Sequence, residues 1–227
     1  FFGMLIYYML YPQTGRKMRD AWKDPQRNKW TVHMSQARFI QIRCMLHFND
    51  NTNEESLKDS LHKIRPLLNI VKKTLGRYAN YGSEVSFDEA TMACFSRYAC
   101  RLLSFNPMKP TGKFHFKIYM VCCAVTNLTL RIRIHAKDGC DDEATNAAVE
   151  QEQINKTDKL TLSICDFMYN FGVTVNMDNY YMSTIFAAHL RGKGVFCRGT
   201  ICFSRKFVPK SVLFSSAEVR TLPRGTA

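Results

Sequence analysis

The chain has 227 residues, 46% of them hydrophobic and 12% aromatic, which is ample material for a buried core and excludes a disordered chain. Thirty-two Lys and Arg against nineteen Asp and Glu leave a net charge of +13, so a polyanion such as nucleic acid is the partner that composition favours. Nine cysteines form an odd set with no C-x-x-C pair, which excludes zinc-finger spacing and suits a reducing compartment.

The opening apolar run, Phe1 to Tyr11, is too short to span a bilayer and has no basic stretch ahead of it, so it predicts a buried helix. Because the first residue is Phe, upstream sequence is expected. Pro12 to Gly15 reads as a turn and Arg16 to Lys23 as a short basic helix carrying Trp22. From Ser35, an N-cap candidate, Phe39, Ile42, Met45 and Leu46 recur at helical spacing up to His47. A polar loop follows at Asn49 to Asn53. Leu61, Ile64, Leu67, Leu68, Val71 and Leu75 then mark a second long helix ending near Gly76 or Gly82. Residues 1–82 are thus a helical, basic region.

The period changes at Val85-Ser86-Phe87-Asp88, a short strand signal. Phe114 to Val125 and Leu128 to His135 read as an antiparallel hairpin with its turn at Asn127. A helix is predicted over the second half of 141–171, with Leu160, Ile164, Phe167, Met168 and Phe171 on one stripe. A strand at Val173 to Met177, a helix from Ser183 to Arg191 capped by Gly192, and a strand at Val195 to Phe203 follow. The tail from Ser204 reads as basic and irregular. The order strand, hairpin, helix, strand, helix, strand over 83–203 suits a mixed α/β sheet. Charge is unevenly spread: 14 basic and 6 acidic groups in 1–82, 8 and 4 in 83–140, 2 and 8 in 141–182, and 8 and 1 in 183–227.

Two carboxylates close strand signals, Asp88 after Glu84-Val85-Ser86-Phe87 and Asp178 after Val173 to Met177. If the two strands are neighbours, both groups reach one crevice and can hold hard divalent cations, which in two-metal sites stand roughly 3.5–4 Å apart and clamp the attacking and leaving oxygens of a phosphodiester. The alternative is local: an Asp after a strand also makes Asx turns and helix caps, and Asp178-Asn179 ahead of Ser183 suits that role. Glu89, adjacent to Asp88, points the other way for as long as the strand continues. His115 and His135 read as packing or surface residues.

The stretches Val85 to Met92 and Val175 to Ser183 resemble the two motifs around the first and second catalytic aspartates of piggyBac transposases. Supporting similarity runs through Ser35 to Phe39, Leu46 to Asn51, Lys63 to Leu68, Lys193 to Ile201 and Ser204 to Pro209. The resemblance implies an RNase H-like fold, partial in this chain, behind a helical N-terminal region of dimerisation or DNA-binding type. It also implies DNA cleavage and strand transfer at transposon ends, Mg²⁺ held by three aspartates, DNA and a second copy of the chain as partners, no membrane, and a place in the nucleus. Asp88 and Asp178 match the first two aspartates as catalytic residues and metal ligands.

The third, expected downstream in a Val-Asp-x-x-Asp type motif, does not occur before Ala227, so the chain as given is expected to be inactive and to bind Mg²⁺ weakly. Lys109 to Lys117 stands where the family has a Lys-Pro and His-Lys-Trp-Gly type run, and Lys109, Lys113 and Lys117, with Arg205 and Lys206 further on, are candidates for phosphate contact. Two other readings stand beside this one: a non-catalytic DNA-binding protein derived from a transposase, and a metabolic α/β enzyme, against which the absence of a Gly-rich phosphate loop or nucleophile motif counts.

Overall fold

In the chain's computed structural model, strand β1, Glu84–Ala93, lies between two partners. On one side it pairs antiparallel with β3, Phe114–Cys123, and on the other parallel with β5, Thr174–Met177. β5 in turn pairs parallel with β6, Phe196–Gly199. The far edge of β3 carries β4, Thr129–His135, and the two-residue β2, Ser104–Phe105. The result is a six-stranded mixed sheet, antiparallel on one side of β1 and parallel on the other. The structure describes residues 1–11, 18–23, 33–50, 52, 59–78, 80–109, 112–135, 154–209 and 216–223. By packing it divides into Phe1–Asn51 and Thr52–Ala227, whereas the compositional boundary falls at residue 82.

Alternation decides which side of the sheet is core. Val85 and Phe87 of β1, Tyr119, Val121 and Cys123 of β3, and Val175 and Met177 of β5 are buried on one face. Across them lie α4, Lys156–Cys165, and α5, Thr184–Gly192, contributing Leu162, Ile164, Phe186 and Leu190, all at most 2% exposed. Each large side chain so buried stabilises the fold by about 1.5–3 kcal/mol. Among the described residues, the opposite face is covered near β3 and β4, where Leu61 and Leu68 pack with Phe116, Ile118 and Ile134. Leu68 belongs to α3, Arg65–Thr74.

Helix starts follow local chemistry. Asn155 accepts from the amide of Asp158 at 2.8 Å and Ser183 from that of Phe186 at 3.1 Å, each satisfying a first-turn donor. In the hairpin, Asn127 takes φ +58, a conformation Asn tolerates at a turn.

In the first unit, α1 spans Phe2–Leu10 and α2 spans Gln36–Met45, with a 3₁₀ turn at Met18–Lys23 between them. The buried Phe39 meets Phe1 and Trp22 at ring-centroid distances of 4.9 and 5.2 Å. Ser35 caps α2, accepting from Arg38 at 3.3 Å. Here one expectation is corrected. α1 is a helix but not a buried one: only Met4 is buried, while Phe2, Ile6, Met9 and Leu10 are exposed.

Other differences have local causes. The second long helix opens as a 3₁₀ turn at His62–Ile64 and becomes α-helical at Arg65 with Pro66 in its first turn, where the missing N–H costs nothing. β1 runs five residues past Asp88 because β3 pairs with it as far as Ala93. Phe171 is 70% exposed, since α4 ends at Cys165 and the chain turns away through Asn170 and Gly172, both at positive φ. Gly192 lies inside α5, and Gly194, at φ +70, makes the turn instead. β6 stops at Gly199, and the tail contains α6, Ser216–Thr221. The turn at Pro12 to Gly15 and most of Asn51 to Asn53 lie outside the described residues, as does the first half of 141–171. Among the described residues, no helix is long and apolar enough to cross a membrane.

Candidate active site

The parallel register sets the geometry. Glu84 lies opposite Thr174, Val85 opposite Val175, and Ser86 opposite Asn176. Continued by two residues, that register brings Asp88 level with Asp178, and neighbouring strands run about 4.8 Å apart. Val85, Phe87, Val175 and Met177 point into the core, so Asp88 and Asp178 share the other, outward face, and both are exposed. Asp178 closes β5 as expected. Asp88 does not close β1 but stands within it, at the level where β5 ends and β1 continues with β3 alone.

Two devices hold the second aspartate's strand. Asn176 donates its side-chain amide to the Val85 carbonyl at 3.1 Å, tying β5 to β1 beside the site. Gly199 of β6 faces Met177, and a Cβ there would collide with the Met177 carbonyl oxygen; only glycine permits this approach. Each aspartate also spends one oxygen locally. Asp88 accepts from the Glu89 amide at 2.7 Å and Asp178 from the Tyr180 amide at 2.9 Å. The Asx turn anticipated at Asp178 is therefore present, and it orients the carboxylate without occupying both oxygens.

Glu89 projects to the core face. Lys117 lies 2.6 Å from it, and Tyr181 donates to it at 2.9 Å. Burial pushes the Glu89 pKa up, but these two hydrogen bonds and the Lys117 charge outweigh it, and the carboxyl is held below its usual range. Burial, with the bond to Glu89, pushes the Tyr181 hydroxyl pKa up. Lys117, a phosphate candidate from sequence, is thus engaged with Glu89, and its ammonium also sits 5.7 Å from the Tyr119 ring centroid. Lys109 and Lys113 flank the β2–β3 end of the sheet, with Lys113 exposed. His115 is buried and bonded to the Gly112 carbonyl at 2.9 Å, a packing role.

Arg205 donates to the carbonyls of Asn179 and Tyr180 at 3.0 and 2.7 Å, bracing the loop directly after Asp178. With Lys206, Ser183, Asn155 and Asp158 it lines a cleft of about 420 Å³. Burial raises the pKa of Asp158, partly offset by Arg205 and His189. Asn176, Gly199 and Tyr181 escaped the sequence reading. A glycine inside the predicted strand Val195 to Phe203 was the available signal for one of them.

The two aspartates suit a hard divalent cation as part of an oxygen set: exposed carboxylates on one face, each with an oxygen outside its backbone bond. Among the described residues, no group of three or more His, Cys, Asp or Glu side chains is placed to hold a metal ion.

A family model described as Transposase IS4 matches residues 1–226. The solved piggyBac transposase synaptic complex with hairpin DNA is 16% identical, with TM-score 0.73 over 98% of this chain. This chain spans 44% of that one's length. The likeness shows the fold, which is RNase H-like. A pre-cleavage Mos1 transpososome, 13% identical over 88% of this chain and 59% of that one, scores 0.25, too low for the two folds to be equated. No curated protein matches the sequence significantly.

Proposed function

Because this chain belongs to the family described as Transposase IS4, we propose that its Asp88–Asp178 pair is two-thirds of a three-aspartate site that cuts and rejoins DNA at transposon ends. The observation that carries the reading is the β1–β5 register, which, continued two residues past Ser86 and Asn176, puts two exposed carboxylates level on adjacent strands. Asp88 and Asp178 would hold Mg²⁺, which when bound activates a water or 3′-hydroxyl and neutralises the leaving oxygen. The protein's own part is positional. β1 and β5 fix the spacing of the carboxylates, Asn176 ties the strands together, and Arg205 steadies the turn after Asp178.

The likeness to a transposase solved with hairpin DNA supports DNA as the partner, and the +13 charge supplies the attraction. Lys109, Lys113 and Lys206 are the candidate phosphate contacts. The same reading makes the chain a homodimer working in the nucleus.

Manganese(II), which takes the same oxygen ligands as magnesium, reports on the pair without any cleavage assay. Titrated into the protein and followed by electron paramagnetic resonance, it should bind weakly, and Asp88→Asn or Asp178→Asn should each remove that binding. Unchanged manganese binding in both variants would sink the metal-site assignment. DNA binding that persists in a chain without a manganese site would instead favour the non-catalytic, transposase-derived reading.

A further inference from the structure

Past the level of Asp88, the outward face of the sheet changes character. Counting by twos from Asp88, Ala90 and Met92 share its face on β1. Met92 lies opposite Phe116 on β3, and the Cys94 amide bonds the Phe114 carbonyl at 3.1 Å. Phe114 is in turn the register partner of Phe105 on β2. Paired residues of antiparallel strands point to the same side. Phe105 and Phe114 therefore stand on the face that carries Asp88 and Asp178, six residues or ~20 Å along β1 from Asp88.

This aromatic pair is built but not buried. The two rings meet at 4.8 Å with a 41° tilt, yet Phe105 and Phe114 are 57% and 51% exposed. Their neighbours Leu103 and His115 are buried, so the pair rests on a fixed base. Further along the same segment, Tyr98 is 81% exposed with the Arg97 guanidinium 5.1 Å from its ring centroid. From Ala90 to Lys137 the sequence has eight Lys and Arg and no Asp or Glu. An exposed apolar cluster normally marks an interaction site, and a field of one sign selects an oppositely charged partner. A polyanion that also offers flat π faces is a nucleic acid with unpaired bases, since a duplex keeps those faces stacked on one another.

We propose that Phe105 and Phe114, in a segment of sequence whose charged residues are all Lys and Arg, form a platform on which unpaired DNA bases stack. It would engage the strand ~20 Å from the Asp88–Asp178 pair. The inference rests on the DNA reading above and adds what that reading lacks, a preference for melted over paired DNA.

The test measures fluorescence anisotropy of a labelled single DNA strand and of the same strand in a full duplex, with the parent chain and a Phe105→Ala/Phe114→Ala variant. The double variant should lose about tenfold or more of its single-strand affinity while its duplex affinity stays within about twofold. Phe114→Trp should restore single-strand binding and show quenching of the new indole when the strand is added. Should the double variant fail to melt like the parent, quenching in Phe114→Trp decides alone.

Equal losses on both probes, or no loss on either, overturn the platform. So does a change in oligomeric state with single-strand affinity untouched, which would assign the patch to a second copy of the chain. A parent that binds duplex but not single strand overturns this inference and leaves the DNA reading standing; a parent that binds neither overturns both.

Discussion

The two halves of β1 differ in their neighbours more than in their residues. At Val85 and Ser86 the strand is paired with β3 on one side and β5 on the other, and Val85 and Phe87 are at most 1% exposed. From Phe87 to Ala93 it pairs with β3 alone, and Met92 is 50% exposed. A carboxylate in the first half would be caged by two strands; at Asp88 it stands where one of them has just ended. The site therefore lies at a topological edge, where a rigid backbone meets open space, and the same arrangement places ligand sites at the ends of parallel strands generally.

That contrast can be broken from its buried side first. Phe87→Ala empties a site packed against Tyr119 and Tyr181, with ring centroids 6.3 and 4.8 Å away. It should cost about 3–5 kcal/mol of unfolding free energy in a denaturant titration. A loss under about 1 kcal/mol would mean that the inner half of β1 is not the core it is taken to be.

The next effect tests the backbone behind Asp178. Gly199→Ala drives a Cβ into the Met177 carbonyl and to 3.2 Å from Met182 Cε, so it should destabilise by about 2 kcal/mol. Because Met177 directly precedes Asp178, manganese affinity should fall with it. Gly192→Ala is the control: nothing lies within 4 Å of the added carbon, and at this helical position thermal melting should hold or rise slightly. Equal melting shifts in the two variants would remove the special role of Gly199.

The smallest effect belongs to Glu89, where β1 turns one carboxylate inward beside an outward one. Glu89→Gln should lower stability by about 1 kcal/mol at neutral pH. Because the folded pKa lies below its ordinary value, the contribution is complete above the unfolded value of about 4.3. It is lost as pH falls through the lower folded value. The gap between parent and variant in pH-dependent melting should therefore close on the acid side; a gap that widens there would reverse the assigned shift.

Much of this could be read along the chain because it is local. Ser35 and Ser183 cap helices through their own hydroxyls, Asn127 turns the hairpin by its own tolerance of positive φ, and the alternation of Leu130, Ile132 and Ile134 marks a strand without reference to any partner. What failed depended on distant residues. The run Phe2 to Leu10 is apolar enough to suggest burial, but apolar composition does not supply a partner for every face. Asp88 looked like a strand end because the polar run Asp88-Glu89 interrupts the apolar pattern; pairing with β3 carries the strand past it.

The two aspartates show the division most clearly. Their identity and their positions after apolar strand signals were properties of the sequence alone. That they share a face and a level was decided by the parallel pairing of β1 with β5, across more than eighty intervening residues. Gly199, Asn176 and the Glu89–Lys117–Tyr181 contact depend on the same assembly. Hydrogen bonds between separate strands and the close approach of two backbones exist only once the sheet has formed, so no local periodicity could announce them.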